Sequence, residues 1–112
     1  PMLWLGGALA VKDTVINSFA SQTDVPATLF SQLQIDYPKE KFRFSRNILA
    51  DSTSGFSFYV FNDGFGFLSE DVTLVYDNVA EKYIINKGKT TETDLKKGKA
   101  ILQILYNDFN KK

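Results

Sequence analysis

The sequence contains no cysteine and no histidine among its 112 residues. Without cysteine the chain can form no disulfide, so the sequence gives no sign of the redox compartment in which it works. Without histidine it lacks the commonest general base at neutral pH and the commonest ligand of transition metals. Catalysis by a Ser–His or Cys–His pair, and metal binding through histidine, are therefore excluded within this chain.

Net charge and long apolar runs are also missing. Thirteen basic residues balance thirteen acidic ones, so we expect no nucleic acid and no anionic membrane as a partner. No apolar run approaches the roughly 20 residues that span a bilayer. The apolar residues 1–9 are too few for a span, and no basic region precedes them as in a signal peptide. The sequence therefore predicts no direct membrane span.

The composition is that of a folded domain. Hydrophobic residues make up 44% of the chain and phenylalanine occurs ten times, which argues against disorder. A chain of this length corresponds to one domain.

The first third of the chain predicts two strands and a helix. Residues 1–5 form a short apolar run that ends at a pair of glycines, a pattern typical of a strand buried on both faces in a parallel sheet. Residues 15–17 are a weaker candidate strand. A helix begins at 23–26, where Thr and Asp supply capping oxygens and proline stands in the first turn. It should end before Pro38, because a residue that precedes proline disfavours the helical conformation.

Runs rich in aromatic and β-branched residues occupy the middle of the chain, at 56–61, 65–68, 72–76 and 82–85. Such runs, separated by short turns, predict an antiparallel meander of about four strands. The sequence Asn-Asp-Gly at 62–64 indicates a tight hairpin turn, because these residues tolerate the positive φ that such turns require. A dense cluster of turn residues at 51–55 precedes the meander.

The C-terminal segment predicts an amphipathic helix. Thr91 and Asp94 have the spacing of a capping box, and Leu95, Leu102 and Phe109 repeat every seven residues. Glycine in a helix interior costs about 1 kcal/mol relative to alanine, so we interpret Gly98 as a point of close packing against the sheet. Two helices cannot cover both faces of the sheet that the strand at 1–5 requires, which indicates that part of this sheet is missing from the chain.

Two segments together resemble a known family. PMLWLGG at 1–7 is similar to the strand that follows the last metal-binding motif in sulfatases of the alkaline phosphatase superfamily. SQTDVPATL at 21–29 is similar to the family's Ser-Gln-x-Asp-Ile-x-x-Thr-Leu segment, which opens the next helix. The stretch at 44–49 resembles a loop before a final small sheet. The nearest resemblance is to the bacterial lipoteichoic acid synthases and phosphoglycerol transferases, whose C-terminal ends carry an aromatic strand and a similar turn.

The resemblance implies a fold and a parent enzyme. The fold class would be α/β, or α+β for the isolated fragment: the edge of an alkaline-phosphatase-like sheet at 1–37, then an antiparallel meander packed by a C-terminal helix at 38–112. Such a parent is membrane-anchored, with an extracytoplasmic catalytic domain. It uses a divalent metal (Mn, Mg or Ca) and a Thr, Ser or formylglycine nucleophile.

The resemblance assigns no catalytic residue and no metal ligand to this chain, because it has no histidine and no position that matches the nucleophile motif. The substrate-binding residues are unknown and no cofactor is expected here. The expected partner is the remainder of the parent chain, and the isolated fragment is expected to self-associate through its uncovered strand.

Some residues allow a functional and a structural interpretation. Asp24 could reach the active-site edge of the parent, but we favour a helix cap and interpret Thr28 as a packed helix residue. The turn at 62–64 with Gly66 could contact substrate, but we favour a hairpin. It lacks the spacing and the lysine of a phosphate-binding loop.

Three larger sets are also ambiguous. A hard cation could be bound by oxygen ligands from Glu70, Asp71, Asp77 and Asn78. The spacing matches no EF-hand, so we favour separate surface residues. Anionic lipid could be bound by Lys87, Lys89, Lys96, Lys97, Lys99, Lys111 and Lys112. We favour a solvated face. Bases of a nucleic acid could stack on the aromatic residues Phe42, Phe44, Phe56, Phe58 and Tyr59. Without net positive charge, we favour core or interface positions.

Two hypotheses for function follow. The first is a non-catalytic C-terminal fragment of a sulfatase or phosphoglycerol transferase-type enzyme. The second is a free-standing binding or assembly module that holds a partner on its aromatic-rich sheet.

Overall fold

A computed structural model describes residues 2–50 and 55–111, which belong to two separate compact units. Most of the turn cluster predicted at 51–55 lies outside the described residues. The first unit contains a short 3₁₀ helix, Gln22–Asp24, and helix α1, Val25–Gln32. The second contains strands β1 Phe56–Phe61, β2 Gly64–Ser69, β3 Val72–Asp77 and β4 Lys82–Gly88, then helix α2 Glu92–Phe109.

The first unit contains no strand within residues 2–50, so the strands predicted at 1–5 and 15–17 are wrong as far as those residues are described. A strand becomes stable only when a neighbour accepts its backbone hydrogen bonds. Residues 2–5 belong to no strand in the described part of the chain. Leu3 and Leu5 consequently remain 81% and 85% exposed.

Helix α1 ends at Gln32, which lies before Pro38 as predicted. Gln34 adopts a left-handed φ of 55°, and the Ile35 N–H donates to the Phe30 carbonyl at 3.0 Å. This geometry is a Schellman-type ending, which satisfies carbonyl groups of the last turn. Glycine is the usual residue at this left-handed position. Because glutamine stands there instead, the sequence gave no signal that the helix ends at this point.

The second unit is an antiparallel meander with the strand order β1-β2-β3-β4. All four predicted strands are confirmed, and so are the α+β class and the small sheet packed by a C-terminal helix. One row across the sheet runs Phe58, Phe67 and Leu74, and the next runs Tyr59, Gly66, Val75 and Ile85. Because successive side chains in a strand point to opposite faces, these two rows define the two faces of the sheet.

Helix α2 covers the face that carries Phe58, Phe67 and Leu74. The buried core there comprises Phe65, Phe67, Val72, Leu74 and Tyr76, with Leu95, Ile101 and Leu102 of α2 packed on it. A Cβ at Gly98 would overlap the Phe65 ring, so the predicted close packing at this glycine is confirmed.

The predicted capping box at the start of α2 is confirmed as well. The Thr91 N–H donates to Asp94 Oδ2 at 2.9 Å, and the Asp94 N–H donates to Thr91 Oγ1 at 3.3 Å. Two helix-end donors are thereby satisfied by one pair of residues.

The hairpin between β1 and β2 lies where it was predicted, but the reason given for it is wrong. Neither Asn62 nor Asp63 has a positive φ. Gly64 is required for a different reason, since a Cβ there would overlap the Tyr76 carbonyl oxygen and the Phe61 ring. The Asp63 carbonyl also accepts a hydrogen bond from the Asn78 N–H at 2.7 Å, which joins the two turns at this end of the sheet.

Candidate functional site

The carboxylate of Asp24 is the most buried charged group in the described residues, at 1% exposure. Its Oδ1 accepts hydrogen bonds from the Arg46 backbone N–H at 3.0 Å and from Arg46 Nε at 2.9 Å. Its Oδ2 accepts from Arg46 Nη2 at 2.6 Å and from the Ser21 N–H at 2.9 Å. The pair is therefore bidentate, and both carboxylate oxygens are satisfied.

Further hydrogen bonds join the loop around Arg46 to the start of α1. The Thr28 hydroxyl, also 1% exposed, donates to the Asp24 carbonyl at 2.8 Å and accepts from the Ile48 N–H at 3.1 Å. The Ser45 hydroxyl accepts from the Ala27 N–H at 2.8 Å. A side chain eighteen positions along the chain thus satisfies a helix-end donor that we had expected Asp24 or its neighbour to satisfy.

This network is built to hold a loop rather than to carry out a reaction. Both oxygens of the Asp24 carboxylate accept N–H groups of the chain, so its hydrogen bonds are made within the chain. Asp24 is the N-cap residue of α1, as predicted, but its side chain makes no capping bond to the first turn of α1. It completes the capping box of the 3₁₀ helix by accepting from the Ser21 N–H, and it also binds Arg46. Arg46, which the sequence argument passed over, is the partner that defines the role of Asp24.

The acids considered for a hard cation do not come together. Glu70 and Asp71 follow β2, whereas Asp77 and Asn78 lie at the other end of β3, about 17 Å away for a strand of this length. Asp77 Oδ1 instead accepts the N–H groups of Val79 and Ala80, at 2.9 and 2.8 Å, within its own turn. Over residues 2–50 and 55–111, no group of three or more Asp or Glu side chains could hold a metal. These residues do not fit the divalent metal that the resemblance implies for the parent.

Some of the lysines considered for lipid contact other side chains of the second unit. Lys96 pairs with Glu92 at 2.9 Å and Lys97 with Asp94 at 3.6 Å along α2. The Lys99 ammonium lies 4.6 Å from the centre of the Tyr76 ring, where it gains a cation–π attraction. Lys112 lies outside the described residues. Three members of the set are therefore engaged within the second unit.

The sheet face opposite α2 carries a row of apolar residues. The row Tyr59, Gly66, Val75 and Ile85 crosses it, and the Tyr59 ring lies over Gly66, where a Cβ would overlap it. Tyr59 remains 45% exposed and Ile85 39% exposed. Of the aromatics considered for nucleic acid, Phe56 and Phe58 instead pack on the core under α2.

A shallow apolar cavity of about 550 Å³ lies in the first unit. Residues 2–9 form one wall, and Val25, Leu29 and Leu33 of the α1 region form the other. The Ala10 N–H donates to Gln32 Oε1 at 2.9 Å, which fixes one end of the segment against α1. The cavity contains no charged lining residue and hence no group for acid–base chemistry.

Comparison with known proteins gave no family model, no curated protein and no solved structure that matches this chain. Neither described helix combines the length and the apolar character that crossing a membrane requires.

Proposed function

We propose that this chain is the non-catalytic C-terminal part of a bacterial enzyme of the sulfatase and phosphoglycerol transferase type. The parent would act on sulfate or phosphate esters with a divalent metal, from an extracytoplasmic domain anchored in the membrane. The chain would complete an edge of the parent's sheet and support the catalytic site without contributing a catalytic residue to it.

The observation that carries this proposal is that the segment resembling the family's strand is exposed and unpaired in the described residues. Residues 2–5 have the composition of a strand buried on both faces, yet they are not in a strand and their leucines are almost fully exposed. Burying a leucine side chain stabilises a fold by roughly 2 kcal/mol. A neighbouring strand from the rest of the parent would supply both the hydrogen bonds and the cover that this segment lacks.

The motif-bearing segment at 21–29 supports the same proposal. Its Asp24 and Thr28 are the two buried polar side chains of the described residues, and both bind the loop at 46–48. Asp and Thr at these two positions thus hold the loop against the helix in this chain. The Asp and Thr of the family's segment would hold a loop in the same way.

Two observations test the proposal. The coding sequence before position 1 should continue in frame into an Asp-His-Gly segment and a nucleophile motif. The purified 112-residue chain should not hydrolyse aryl sulfates or phosphodiesters, with or without added manganese, magnesium or calcium. A start codon directly before position 1, or turnover that follows the pure chain through successive columns, would overturn it.

A binding role for the sheet is the second candidate, and the apolar row on the face opposite α2 favours it. Exposed tyrosine is common at protein interfaces because it combines apolar area with a polar end. Light scattering at high concentration separates the two candidates. The binding module should remain monomeric, whereas the fragment should self-associate through residues 2–5.

A further inference from the structure

We draw no further inference here: the strongest candidate, the exposed apolar centre of the edge strand β4 at residues 83–85, is flanked by charges of both signs, and nothing in the structure shows what covers it.

Discussion

The two units of this chain depend on different kinds of interaction. Residues 55–111 have a continuous apolar core in which α2 packs on one face of a regular sheet. In residues 2–50 the buried side chains are Ala27, Asp24 and Thr28, so one polar network replaces the core. A core distributes stability over many contacts, whereas a buried ion pair concentrates it in two residues. Damage to the network should therefore affect the first unit far more than loss of any single apolar contact there.

The largest expected effect is that of Asp24→Ala. Removing one member of a buried ion pair leaves the other uncompensated, and costs about 3 kcal/mol, towards the lower end because Arg46 remains 23% exposed. Amide hydrogen exchange should show that protection is lost at 25–33 and 45–48 and retained in β1–β4. Asp36→Ala, at an exposed aspartate of the same unit, is the matched control. Equal loss of protection in both units would contradict the comparison.

Gly98→Ala tests the core of the second unit and should destabilise it by up to about 2 kcal/mol. Alanine would gain about 1 kcal/mol in helix propensity, but its Cβ overlaps the Phe65 ring, and overpacking of a tight core costs roughly 1–3 kcal/mol. Denaturant unfolding followed by the helical circular dichroism signal measures the difference.

A control and a rescue sharpen this second prediction. Asn107→Ala, at an exposed position of α2, should stabilise the helix slightly by propensity alone. Phe65→Leu in the Gly98→Ala background should cost less than the sum of the two single changes, because the smaller side chain removes the overlap. Strict additivity would mean that the ring is not what excludes a side chain at position 98.

The second unit could be predicted from its sequence because its signals are local. The aromatic and β-branched residues of 56–61 and 72–76 favour strands, and the seven-residue repeat of α2 predicts the buried side of that helix. The Thr91 and Asp94 spacing likewise marks a helix start within four residues. Each of these features needs only neighbours along the chain. The strands and the capping box are present in the structure, and Leu95 and Leu102 pack on the core. The last member of the repeat, Phe109, is instead 77% exposed.

The first unit could not be predicted in the same way because its determinants are not local. The partner of Asp24 is 22 residues away, and the acceptor for the Ala27 N–H is 18 residues away. The end of α1 depends on Gln34, a residue with no special preference for a left-handed φ. The composition of residues 1–5 predicts a strand. A strand also requires a neighbouring strand, and the composition of one segment does not show whether such a neighbour is present.

The smallest expected effect is at the start of α2, and it depends on pH. The hydrogen bonds from the Thr91 hydroxyl and N–H, together with the charge of Lys97, lower the pKa of Asp94 despite some desolvation. A carboxyl group with a lowered pKa stabilises the fold fully above its unfolded pKa, about 3.9, and loses this contribution as the pH falls through the folded value. Thr91→Ala removes the hydroxyl and should cost about 1 kcal/mol near neutral pH.

That cost should shrink as the pH falls below about 4, because protonation of Asp94 weakens the capping box in the unchanged chain as well. Denaturant unfolding at a series of pH values gives the difference between the two proteins. Thr90→Ala is the matched control, since the Thr90 hydroxyl bonds to the Lys87 carbonyl and not to Asp94. A cost for Thr91→Ala that stays constant down to low pH would mean that the hydroxyl acts only on the Asp94 backbone N–H. Amide exchange in residues 2–50 should not change in either variant, because the capping box is local to the second unit.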